Sequence, residues 1–104
     1  MKIATLKTQI EIAVCEELPT VNECGDIEYC DNKVLQRHTL NGRAAAVSYM
    51  KLWLAHWAEK KPGAVFHAQA VEHEYDPSDN EWYPVAVAFH HAGDDSKYEW
   101  HRYG

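Results

Sequence analysis

Histidine, glutamate and tyrosine gather in the last third of this chain in a pattern that could do chemistry. Apolar and polar residues alternate through AVFHAQAVEHEY, WYPVAVAFHH and KYEWHRY, which predicts three antiparallel strands joined by DPSDNE and AGDDS. With the first loop spanning 76–81, Tyr75 falls opposite Trp82, Val71 opposite Ala86 and His67 opposite His90. One face of that pairing then carries His67, Gln69, His73, Tyr75, Trp82, His90, Glu99, His101 and Tyr103 over a floor of Ala86 and Ala88. Directly opposed residues bring their Cβ atoms within about 4.5–5.5 Å. His67 and His90 could therefore share a divalent ion, with Glu99 as third ligand and His101 beside it. The same groups could act as an acid–base pair near neutral pH. A half-exposed sheet face also fills with such residues simply to meet water, and that plainer reading outweighs both chemistries. A slip of one residue would turn every one of these side chains to the other face.

Other arrangements are weaker. His90 and His91 are consecutive strand residues and point to opposite faces, so they make a poor ligand pair. Cys24 and Cys30 are separated by five residues where a zinc knuckle wants two to four, and neither has a histidine at ligand spacing. With Cys15 they make an odd number, which reads as reduced intracellular thiols, a Cys24–Cys30 disulfide being the alternative. The five glycines are isolated turn residues, so no phosphate-cradling loop is present, and no Ser or Cys has a nucleophile-elbow context. No cofactor is expected, and no family is recognised in these residues.

These side chains need elements to position them. Residues 42–60, bounded by Asn41-Gly42 and Pro62-Gly63, predict one helix, with Asn41 as its cap. Its wet strip is narrow (Ser48, Lys51, Glu59), so it needs cover on more than one side. Val47, Met50, Leu54 and Trp57 supply bulk on one flank; Tyr49, Trp53 and His56 form a second flank suited to self-association. The β-branched residues of 3–18 favour a strand ending at Leu18-Pro19, and 26–30 with 33–38 suggest a short hairpin about Asp31-Asn32. The inner sheet face is expected to present Phe66, Ala68, Ala70, Val85, Val87 and Phe89, extended by Trp100 if that residue opposes Phe89. The expected fold is α+β: residues 1–104 as a single domain, an antiparallel sheet of five or six strands on one main helix, and a C-terminal three-strand meander.

Charge bounds the function. The 104 residues carry a net charge of −6, which argues against direct nucleic-acid binding. The N-terminus meets charge before any long apolar run, so neither a signal peptide nor a membrane anchor is expected and the location is read as cytoplasmic. Glu11, Glu16, Glu17, Glu23, Asp26, Glu28 and Asp31 form one acidic window; Glu72, Glu74, Asp76, Asp79 and Glu81 form a second, with acid expected away from the helix. Carboxylates beside Tyr29, Tyr75, Trp82 and Tyr83 suit docking on a basic surface, the charges speeding encounter and the aromatics anchoring. The leading expectation is a small acidic binding protein that occludes a basic surface of a protein partner, including one that handles nucleic acid, through Glu72, Glu74, Asp76, Asp79, Glu81, Trp82 and Tyr83. Its composition, though no motif, resembles immunity proteins and phage-encoded inhibitors. The alternative is a homo-oligomeric accessory subunit joined through Tyr49, Trp53 and His56; a histidine-based enzyme or metal protein ranks below both.

Overall fold

A computed structural model of the chain describes residues 7–103, with side chains at all of these except 29–31. The part of the N-terminal strand prediction that covers 3–6, and the side chains of Tyr29, Cys30 and Asp31, lie outside the described residues. The elements are β1 (Thr8–Val21), β2 (Ile27–Leu40), α1 (Arg43–Lys60), β3 (Val65–Asp76), β4 (Glu81–His91) and β5 (His101–Arg102). They form one antiparallel sheet in the order β2-β1-β3-β4-β5 with the single helix packed on it, the α+β architecture the sequence predicts. No helix among the described residues is long and apolar enough to cross a membrane.

Connectivity dictates where the helix lies. β2 and β3 are both antiparallel to β1, one on each side of it, so they are parallel to each other and α1 is the crossover between them. Ile10, Ile12 and Val14 alternate out of β1 into the space beneath, where they meet Ala46, Met50 and Leu54 of α1 and Phe66, Ala68, Ala70 and Ala88 of the sheet. Alanines on the sheet let the helix sit close, and Phe66 fills the remaining volume. Two ion pairs strap the helix ends down: Arg43 to Glu72 at 2.7 Å and Lys61 to Glu16 at 2.7 Å. The Arg43 guanidinium also lies 5.0 Å from the centre of the Trp100 ring. The predicted Asn41 cap is not used. The N-cap is Gly42, with no side-chain hydrogen bond; its carbonyl accepts from Ala46 N at 3.0 Å, and the Asn41 carbonyl accepts from Thr8 Oγ1.

Two predictions about the first hairpin fail for one reason. β1 does not end at Leu18-Pro19 but continues to Val21, and β2 is one strand through Asp31-Asn32; the turn falls at 22–26 instead. Asn22 organises that turn, its Oδ1 accepting from the amides of Cys24 and Asp26, and Gly25 supplies φ +84°. Proline lacks an amide hydrogen, yet a strand tolerates it at a bulge, and the β1–β2 register shifts between Leu18 and Thr20, around Pro19.

The same rule overturns the predicted register of the second hairpin. Tyr75 does oppose Trp82, but a bulge separates Glu72↔Ala86 from His73↔Pro84, beside the second strand proline. Beyond it Val71 opposes Val87 and His67 opposes His91, each displaced by one residue from the predicted partner. The faces of β4 are thereby exchanged. Ala86, Ala88 and His90 are buried, while Phe89, predicted for the core, is 49% exposed. The third strand of the meander is only two residues long, pairing His101 with Val87 and Arg102 with Ala86, so Trp100 does not oppose Phe89, though it still packs against the core.

Candidate functional site

The β3–β4 turn gathers most of the second acidic window at one end of a molecule 63 Å long. Across the ladder Glu74 faces Tyr83, Tyr75 faces Trp82 and Asp76 faces Glu81. The Tyr75 and Trp82 rings pack with centroids 5.3 Å apart, and Trp82 and Tyr83 remain 41% and 40% exposed. Hydrogen bonds hold the loop: Asp76 Oδ1 accepts from Ser78 N at 2.9 Å and Ser78 Oγ at 2.6 Å, and the Tyr83 hydroxyl donates to Asp79 Oδ2 at 2.6 Å. The Tyr75 hydroxyl donates to the Asn80 side-chain oxygen, with Asn80 in the left-handed region at φ +56°. The Ser78 hydroxyl lowers the Asp76 pKa below the usual carboxylate range, and the bond to Asp79 raises that of the Tyr83 phenol. Residues 73–84 contain no Lys or Arg; the nearby cation is Lys7, 5.9 Å from the Tyr75 ring centre. Glu72 stands apart from this tip, committed to Arg43.

The two acidic windows approach only at their near ends, where Glu11 follows Ile10, the register partner of Glu72; their turns stand far apart. Thr8, at the start of β1, pairs with Glu74, whereas Val21 at its other end leads into the 22–26 turn with Glu23 and Asp26, and a 14-residue strand spans about 45 Å. Glu16 of the first window is drawn to the helix by Lys61, so acid is not confined to regions away from α1.

The open face of the sheet, opposite the helix, brings together residues the predicted register kept apart. Cys15, His67 and His91 form one row across β1, β3 and β4, and Glu17 lies two residues further along β1 on the same face. Glu17 Oε2 is 3.0 Å from His91 Nε2 and 3.6 Å from His67 Nδ1. Phe89 stacks on the His67 ring at 4.7 Å, leaving that residue 4% exposed. Burial lowers the His67 pKa, partly opposed by the Glu17 charge, and burial raises that of the Cys15 thiol. A buried, protonated thiol is a poor nucleophile, so this thiol, imidazole and carboxylate do not form a cysteine-hydrolase triad. His90 of the predicted ligand set is on the other face, stacked on Tyr98 with Nε2 2.7 Å from the Asp94 carbonyl oxygen. Glu99 and His101 line a hollow of about 330 Å³ with His90, apart from His67.

No protein-family model, curated protein or solved structure matches this chain.

The second flank of the helix is occupied in part by β2. Tyr49 stacks on His38 and accepts a hydrogen bond from Gln36 Nε2, and Trp57 Nε1 donates to Gln36 Oε1. Trp53 is half-buried and His56 exposed, edge-on between Trp53 and Trp57. Cys24 is a free, exposed thiol; the side chain of Cys30, its partner in the alternative disulfide, lies outside the described residues. Sequence reasoning missed Glu17 and His91 as neighbours of His67. The signal that could have found them is Pro84, whose place inside an alternating run marks a bulge and a change of face.

Proposed function

We propose that this chain is a small binding protein whose β3–β4 tip docks on a basic surface of a protein partner and occludes it. One observation carries the reading: Glu74, Asp76, Asp79 and Glu81 share a hydrogen-bonded turn with two exposed aromatic rings, Trp82 and Tyr83. The carboxylates supply long-range attraction to a cationic patch, while the aromatic pair supplies area that can be fully desolvated on contact. A turn held by its own hydrogen bonds loses little entropy on binding. The location this reading implies is cytoplasmic, with no direct contact to nucleic acid.

The test is affinity capture from the native cell extract at low and then high salt, comparing the wild-type chain with an Asp76→Lys, Asp79→Lys, Glu81→Lys variant. A protein with a basic surface should elute from the wild type as salt rises and be absent from the variant. A captured partner indifferent to both salt and charge reversal would refute the docking mode. Self-association is the second reading, favoured by the exposure of Val34 and Phe89 on the open face and of Leu52 on α1. Light scattering separates the two.

A further inference from the structure

The open face holds polar groups buried without hydrogen-bond partners, which a fold of this size normally avoids. Glu17 Oε2 and His67 Nδ1 are both in this state. They face each other at 3.6 Å, and His91 Nε2 approaches the same oxygen at 3.0 Å. The His67 side chain is 5% exposed and that of Glu17 15%, so water has little room to satisfy either. Donor atoms bound to one tetrahedral ion at bonds of about 2.0–2.1 Å lie about 3.3 Å apart, close to both separations. Cys15, the register partner of His67 on β1, completes a row of nitrogen, oxygen and sulfur donors on one face of three adjacent strands.

We propose that Glu17, His67 and His91 form a binding site for a divalent transition-metal ion of the Zn²⁺ type, with Cys15 as fourth donor. Two imidazoles, a carboxylate and a thiol suit a borderline ion and not Mg²⁺ or Ca²⁺, which prefer oxygen alone. Phe89 stacked on His67 holds that ring in place, as supporting contacts do around metal ligands. Among the described residues no group of three His, Cys, Asp or Glu side chains is already placed to hold a metal ion, so the site forms only when its side chains rearrange around one. The His67 and His91 rings meet at 60° with centroids 6.0 Å apart, and a rotation of the half-exposed His91 side chain closes the set around the incoming ion. That same exposure gives the ion its path in. The site lies on the sheet face and uses no residue of the β3–β4 tip, so it stands or falls independently of the docking reading.

The experiment uses the full chain, free of any affinity tag and stripped with a chelator, titrated with Co²⁺ and with Zn²⁺. One equivalent should bind, Co²⁺ giving the visible bands of a tetrahedral site and a sulfur-to-metal charge-transfer band that Cys15→Ser removes. His91→Ala and Glu17→Gln should each weaken binding by more than about 100-fold, the upper end of what losing a mere supporting contact costs. His56→Ala and His101→Ala should leave it unchanged. His91 is half-exposed, so His91→Ala should retain the native circular dichroism and carry the test even if Glu17→Gln unfolds. No uptake, uptake indifferent to both ligand substitutions, or uptake lost equally in His56→Ala or His101→Ala would overturn the site. Uptake without the charge-transfer band would overturn Cys15 as a donor.

Discussion

Three pairs of chain neighbours, Glu16–Glu17, Phe66–His67 and His90–His91, each place one side chain on the helix-covered face of the sheet and the next on the open face. Under the helix the polar members find partners: Glu16 meets Lys61 at 2.7 Å, and His90 meets the Asp94 carbonyl at 2.7 Å. On the open face Glu17 Oε2 and His67 Nδ1 are buried by neighbouring side chains that give them no hydrogen bond. The difference lies in what does the covering. A helix and the loops at its ends bring cations and carbonyls along with apolar bulk, whereas Phe89 brings only a ring. One face is therefore built for stability, and the other retains unspent polar capacity.

The two phenylalanines put that contrast to its most demanding test. Phe66→Ala should lower unfolding stability by about 3–5 kcal/mol, seen as a fall in urea midpoint with an unchanged slope, because Phe66 is fully buried beneath Met50 and Leu54. Phe89→Ala should cost only about 1 kcal/mol, since half of that ring already faces water. Equal losses would erase the distinction between the faces. A smaller effect sharpens it from outside both faces, by asking what a partner does for an exposed carboxylate. Ser78→Ala should raise the Asp76 pKa toward the usual carboxylate range, read by carboxyl NMR titration. Because the folded pKa is lowered, the stabilisation that accompanies it is fully present above the ordinary range and lost as pH falls through the folded pKa. An Asp76 titration that does not move would assign the lowering to the backbone amides alone.

Much of the fold was legible in the residues. The helix bounds, the alternation of β1, β3 and β4, the burial of Phe66 and the facing of Tyr75 and Trp82 all follow from periods and punctuation that act locally. The acidic tip was legible for the same reason, since a turn gathers residues adjacent in sequence. The open-face cluster was not. Its four residues come from three strands, and their meeting depends on a one-residue bulge near Pro84 that exchanges the faces of β4.

The sequence by itself determined the helix and the alternating cores of β1, β3 and β4, and that acid and aromatic residues meet at the 76–81 turn, because each is set by neighbours a few positions apart. Only the tertiary structure decided that Pro19 and Pro84 sit beside bulges inside continuing strands, that His67 faces His91 and Glu17, and that the 22–26 turn and the β3–β4 tip stand at opposite ends of β1. The physical reason is the two-residue period of a strand. One extra residue in one strand changes nothing in local propensity, yet it reverses which side chains are covered and which are left facing one another.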